Sequence, residues 1–420
     1  MAAVQITAFS GFADDDGSTG NLALANPSGP WAVSTDAAHL YTILIQHGSG
    51  VLVAYHSTNT GSSWAEIDSA NRPAIHNGTT TAGTAIMHCK DSWMESDVIY
   101  TAYAGTDTKL RVIQFDMAAG TWGGSSTAGP TVDWQPDKGF GFHCKIQKQN
   151  TRLLVAYTAP QETISGTSYY RLGIDQFVSS TFSNVTTIGS GTASDALLWS
   201  SVRGDSNRVH VFYNLTNNFV SAWSLNQVAI NSAGTAAPAQ TITTSTDDVL
   251  IAFPGVFIST NTTLVVPYQD FFNGNLRVLE GTDADSPTWT DTDLSGLSTN
   301  FQFPEGYEQS LTMATLDTNN VPWIFFADFN NDPFTGGLGI IEFDRTGGTW
   351  NCNNASVYNA ASTEGDLSVS AVAFADGTHF GLAFNRGLNG NNASETMFLY
   401  WPPVAAAGGQ IIWGPLNITY

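Results

Sequence analysis

Apolar residues along this chain come in short alternating runs, and no stretch keeps the spacing of an amphipathic helix. One run, ending on an aromatic or large aliphatic side chain, keeps returning. It appears as LYTILIQ at Ile45, VIYTAYAG at Tyr103, LLVAYTAP at Tyr157, VHVFYNLT at Tyr213, LVVPYQDF at Tyr268, PWIFFADF at Phe326 and FGLAFNRG at Phe384. The steps between these anchors are 58, 54, 56, 55, 58 and 58 residues. A second strand-like run follows, as in LRVIQFD (110–116) and LGIIEFD (338–344). A Gly/Ser/Thr turn then leads into an aromatic residue such as Trp64, Trp122, Phe182, Trp289 or Trp350, with Ile412-Trp413 in that place in the last repeat. Upstream of the anchors stand further apolar runs, among them TAIMHCK, GFGFHCK and ALLWSSV.

Each unit therefore reads as four short strands, A to D from the inside out. Four-stranded units of this length, repeated around an axis, hide their sheet edges by closing into a ring. The predicted fold class is all-β: a seven-bladed β-propeller of four-stranded antiparallel blades. Residues 24–420 would form the propeller and residues 1–23 an N-terminal extension, in which VQITAF (4–9) adds a strand or holds a partner. Most anchors and tryptophans are expected between blades, where large flat side chains fill the space between neighbouring sheets.

Composition narrows the function. The net charge of −22 arises from 14 Lys and Arg against 36 Asp and Glu. A chain so poor in cations lacks the basic face that displaces counterions from nucleic acid, and it is equally ill-suited to anionic membranes. No run approaches the roughly 20 apolar residues of a membrane span, so no membrane insertion is expected. The first residues lack a basic region and an apolar core, so no secretory leader is expected. Three cysteines, Cys89, Cys144 and Cys352, make no disulfide framework.

Residues 57–64, STNTGSSW, resemble the Asp-box, the Ser-x-Asp-x-Gly-x-Thr-Trp hairpin of sialidase-like β-propellers. Asn59 stands for the aspartate and Ser63 for the threonine. The resemblance implies a turn between the third and outer strands. Its third side chain bonds back to the turn backbone, its glycine takes positive φ, and its Trp enters the inter-blade core. In the family this turn is structural and lies away from catalytic centres. DMAAGTW (116–122) and DRTGGTW (344–350) keep only its ending. The arginine cluster and the tyrosine–glutamate pair of sialidases have no counterpart, and NRPA (71–74) falls in an outer-strand region.

Ligands of propellers usually sit where the D-to-A and B-to-C loops emerge. Counting from the anchors puts Asp195, Glu308 and Asp366 near the starts of inner strands, and Asp270, Asp328 and Arg386 at the ends of second strands. Tyr307, Glu308, Asp328, Asp366 and Arg386 are the candidate ligand-binding residues. Carboxylates accept pairs of sugar hydroxyls, tyrosine offers a stacking face, and arginine orients an acidic group. The competing reading makes these acids loop caps bonded to backbone amides. His88-Cys89-Lys90 and His143-Cys144-Lys145 repeat one triplet on successive inner strands at what read as equivalent places. Neighbouring residues of a strand point to opposite faces, so a repeated packing solution is favoured over a zinc site. No catalytic residue, metal ligand or cofactor is assigned.

These features favour a non-enzymatic binding or structural module of a larger assembly. The specific expectation is a tailed-phage virion protein that binds a host-surface glycan or receptor through its loop face and other virion proteins through its N-terminal segment. Its location would be the virion, with the extracellular space as the alternative. A polysaccharide-acting hydrolase or lyase is the rival, and a scaffold for protein alone is the third reading.

Overall fold

The computed structural model describes residues 4–10, 28–46, 50–75, 90–124, 127–133, 142–204, 207–217, 221–245, 250–270, 275–297, 313–317, 319–328, 339–352, 358–359, 364–373, 380–388, 393–401, 404–405 and 411–412. Side chains are not described at 4–10, 37, 217, 221–222, 270, 313, 326–328, 339, 358–359, 364–373, 385–388, 393–395, 404–405 and 411–412. Among the described residues the regular structure is almost entirely β-strand.

Strand β1 spans Val4–Ser10. The first sheet in the chain holds β2 (Ser28–Val33), β3 (Asp36–Gln46), β4 (Val51–Ser57) and β5 (Ala65–Ile67). The second holds β6 (Lys90–Glu95), β7 (Val98–Ala104), β8 (Leu110–Asp116) and β9 (Thr121–Trp122). The third holds β10 (Cys144–Gln149), β11 (Arg152–Ile164), β12 (Thr167–Val178) and β13 (Thr181–Ile188). The fourth holds β14 (Asp195–Arg203), β15 (Val209–Asn217), β16 (Ser221–Ile230) and β17 (Gln240–Ser245). Next come β18 (Leu250–Ala252), β19 (Val256–Ile258), β20 (Thr263–Asp270), β21 (Asn275–Thr282) and β22 (Trp289–Asp293) in one sheet. They are followed by β23 (Met313–Leu316), β24 (Pro322–Asp328), β25 (Gly339–Asp344) and β26 (Tyr358–Asn359). The last blade holds β27 (Glu364–Ala373), β28 (Phe380–Leu388) and β29 (Ala393–Trp401), with β1 as its outer strand. A separate ribbon pairs β30 (Val404–Ala405) with β31 (Ile411–Ile412).

The molecule is an all-β propeller of four-stranded antiparallel blades, and it departs from the expected seven such blades. Six sheets are four-stranded; the sheet around Tyr268 has five strands. The reason lies in Phe253-Pro254-Gly255, which interrupts the inner strand. Proline has no N–H to give to a ladder. The strand therefore splits into β18, paired with β20 at Ala252↔Tyr268, and β19, paired at Val256↔Val265. The outer strand of the last blade also differs from the Ile412-Trp413 expectation. β1 pairs along β29 from Val4↔Phe398 to Ser10↔Ala393, and it covers far more of that edge than a two-residue strand can.

All seven anchors lie in the second strand of a sheet. Ile45, Tyr103, Tyr157, Tyr213, Tyr268 and Phe384 are buried. The core lies between sheets: Leu154, Ala156 and Ile174 pack on Leu198, Val211 and Tyr213 of the next sheet. Strand β2 lies against β6, β6 against β10, β10 against β14, and β27 returns to β2. Polar two-residue turns link the strands. Ser96-Asp97, Ser165-Gly166 and Ser179-Ser180 all have positive φ at both positions, as the twist of a tight hairpin requires.

The turn at 57–64 shows how sequence fixes one such connection. Asn59 Oδ1 accepts from Ser63 N at 2.9 Å and from Ser57 Oγ at 2.9 Å, while Gly61 N donates to Ser57 Oγ at 2.8 Å. Gly61 has φ +85, and a Cβ there would strike the ring of Phe398. Trp64 packs on that same ring, 5.5 Å between centroids, and joins the first sheet to the last.

Candidate functional site

The loop face of the propeller is uneven because the second and third strands of the blades end at different heights. Strand β7 stops at Ala104, one residue past its anchor, whereas β11 runs on to Ile164, seven past Tyr157. The β11–β12 hairpin, closed by Ser165 and Gly166, therefore stands out from that face as a wall.

A buried arginine holds the wall upright. Arg171 is 2% exposed and donates Nε to Glu162 Oε2 at 2.8 Å. Its Nη1 reaches the carbonyls of Tyr170 and Ser194 at 2.9 and 2.7 Å, and its Nη2 reaches Thr192 O at 2.7 Å. One guanidinium thus ties the hairpin to the loop that leads into β14, using the planar fork that lysine lacks. Glu162 also accepts from Gly191 N at 2.9 Å. That amide, followed by Arg171, holds its carboxyl below the ordinary range. Asp195, fully buried at the start of β14, accepts from Tyr170 N at 2.8 Å.

Below the wall lies the junction of β10 and β14. His143 precedes β10, and its Nδ1 lies 2.9 Å from Leu198 O. A carbonyl can only accept, so Nδ1 carries the proton. The ring stands edge-on to Trp199 at 5.8 Å. Burial pushes the imidazole down to about 4; the bond to Leu198 opposes that shift and the charge of Lys145 adds to it. Gln147 Nε2 donates to Ser201 Oγ and O, both at 3.1 Å. Gln149 Nε2 reaches the carbonyls of Ile230 and Asn231 at 2.9 and 2.8 Å. His143, Lys145, Gln147 and Gln149 alternate along one strand and share one face, turned to the fourth sheet.

Of the five residues singled out from sequence, Tyr307 and Glu308 lie outside the described residues. Asp328 is the last residue of β24, Asp366 the third of β27, and Arg386 pairs with Leu367 inside β28. β24 lies against β27, so backbone register puts these three near the loop-side ends of two packed sheets. Their side chains are not described. Asp195, noted for its place before the fourth anchor, does bond a backbone amide, as the loop-cap reading has it. His88 and Cys89 lie outside the described residues. Among the described residues no three His, Cys, Asp or Glu side chains converge as metal ligands would.

The two His-Cys-Lys triplets are not equivalent after all. Lys90 pairs with anchor Tyr103, whereas Cys144 pairs with anchor Tyr157 and Lys145 with Ala156. A slip of one residue turns every side chain to the other face. Lys90 and Cys144 accordingly both reach back to the preceding blade, to Ser28 Oγ and Ala102 O respectively. The signal was present: Cys89 is 14 residues before its anchor and Cys144 only 13. Arg171 and Glu162 gave no such signal, because their partners meet only once two loops fold together.

No protein-family model matches the chain, and no curated protein matches it. Among solved structures it is similar to a lectin of Aleuria aurantia in complex with α-methyl-L-fucoside. The two share 12% identity over 82% of this chain and 99% of the lectin, with a TM-score of 0.47. An α-L-arabinofuranosidase of Fusarium graminearum is 11% identical over 81% of this chain and 96% of the enzyme, with a TM-score of 0.47. An ulvan lyase is 10% identical over 73% and 82%, with a TM-score of 0.45. At such scores nothing about this chain's ligand follows from these proteins.

Proposed function

We propose that this chain is a non-enzymatic binding module that holds a glycan on the loop face of its propeller. The observation that carries the reading is the β11–β12 wall, raised on that face and fixed in advance by Arg171 and Asp195. A recognition surface gains affinity when its loops are ordered before the ligand arrives. Here the ionisable groups that order the wall are spent on one another and on backbone amides and carbonyls, which suits holding a position more than transferring protons. Polar residues at the tip, Gln161, Thr163, Thr167 and Ser168, supply the donors and acceptors that sugar hydroxyls need. Asp328, Asp366 and Arg386 extend the surface on the far side of the ring, with Tyr307 and Glu308 as further contacts.

Three finer statements belong to the same reading. The five-stranded sheet takes the place of a seventh blade, its inner strand broken at Pro254, which the anchor spacing supports. Kinship with the sialidase-like propellers is supported by the bonding of the 57–64 turn. Service in a tailed-phage virion, where residues 1–23 meet other virion proteins, is supported by composition alone.

A glycan array probed with the intact protein tests the binding reading. Wild type is expected to bind, and Arg171→Met to lose at least tenfold while remaining folded by circular dichroism. Equal binding by the two proteins, or release of cleaved products from a polysaccharide panel, would overturn it.

A further inference from the structure

The stripe His143, Lys145, Gln147 and Gln149 contains one member whose chemistry is unspent. The other three place nitrogens on groups of the fourth sheet, as described above. Lys145 is 5% exposed as a whole, but its ammonium still touches solvent and has no hydrogen-bond or ion-pair partner among the described residues. An ammonium at the tip of a covered stem can take an anion without first giving up another bond.

The preceding blade shows what this position ordinarily does. Asp91 pairs with Ala102 as Lys145 pairs with Ala156, so the two occupy the same place in successive inner strands. Asp91 uses its carboxylate as a clasp on the next blade, where Oδ2 accepts from Ile146 N at 2.9 Å. A lysine cannot accept from an amide, so Lys145 cannot make that clasp. The repeat has exchanged an anion for a cation at a buried position near the inner edge of the ring. His143, two residues away, stays neutral near pH 7 and does not compete for an anion. The surroundings are also the part of the chain where cations gather. Ten of the 14 Lys and Arg fall within residues 90–208, and three fall within residues 246–420.

Resting on the glycan reading above, we propose that Lys145 marks an anion subsite at the junction of β10 and β14, which takes the carboxylate or sulfate of an acidic saccharide. The ligand's negative charge supplies the counter-ion that the fold omits, and the charge-assisted bond rewards an acidic sugar over its neutral form.

Calorimetric titration of the intact protein with trigalacturonate, and with its fully methyl-esterified neutral form, tests this. A sulfated galactotriose in a third arm distinguishes sulfate from carboxylate. Wild type is expected to bind at least one acidic probe tenfold or more tighter than the neutral trisaccharide. Lys145→Met should erase that preference with neutral binding unchanged, and Lys145→Arg should restore part of it. Thermal unfolding of the Met variant confirms that the fold survives. Equal binding of acidic and neutral probes, or a preference that outlasts Lys145→Met, overturns the subsite and leaves the glycan face standing. No binding by any probe overturns the subsite, and a blank glycan array beside it brings down the wider reading as well.

Discussion

The second and third blades carry the same three letters, His-Cys-Lys, and do opposite things with them. In the second, Lys90 turns back to the first blade and donates to Ser28 Oγ. In the third, a one-residue slip sends Lys145 forward, into the junction with β14, where no acceptor bonds it among the described residues. The letters repeat while the register does not. On a strand, register decides which face, and so which neighbour, a side chain meets. A duplicated motif in a propeller therefore has to be read against its anchor before any common role is assigned.

The contrast extends to how the two junctions are held. The one between the first two blades is held by Lys90 on Ser28, Ser34 on Asp97 and Trp122 N on Asp68, while the one between the third and fourth is held by His143, Gln147 and Gln149 with Arg171 bracing the loop into β14. The largest effect should come from the latter. Arg171→Met leaves the carbonyls of Tyr170, Thr192 and Ser194 without their donor and should cost roughly 3–4 kcal/mol in urea unfolding. A loss below about 1 kcal/mol would show that the wall stands without its brace.

Acid should weaken the same junction. His143 binds its proton less readily in the fold, near 4, than the ordinary 6.5 of an unfolded histidine. Between those values the unfolded chain takes up more protons. Stability is then full above about pH 6.5 and falls as the pH drops toward 4, by up to about 3 kcal/mol. His143→Gln should flatten much of that slope, and an unchanged slope would remove His143 as its source.

The two lysines make the sharpest pair. Lys90→Met should cost about 1–2 kcal/mol, since it removes a charge-assisted bond from a buried site. Lys145→Met should cost nothing measurable, or stabilise the chain, in the absence of ligand. Equal losses would mean that Lys145 is held after all. A smaller effect is expected at the 57–64 turn, where Asn59→Ala should cost about 1 kcal/mol and Asn59→Asp little.

Much of this architecture was legible in the sequence. Anchors at near-constant spacing located the second strand of each of the seven larger sheets, and STNTGSSW indicated its turn down to the bond from Ser63 N to Asn59. What escaped depends on groups distant in the chain. Nothing local in VQITAF says that it will pair with β29. Arg171 collects partners from residues 162 to 194, brought together only by the folded hairpin. Pro254 was visible, and its effect on the inner strand follows from its missing N–H. Of the five candidate ligand contacts, Asp328 ends β24, Asp366 is the third residue of β27 and Arg386 lies two residues short of the end of β28.

The most direct measurement is an experimental structure of the full chain with the best-binding oligosaccharide from the array. The sugar should lie on the loop face, against the β11–β12 hairpin and within hydrogen-bond reach of its tip. A sugar seated on the opposite face, beside the turn that joins β4 to β5, would contradict the account.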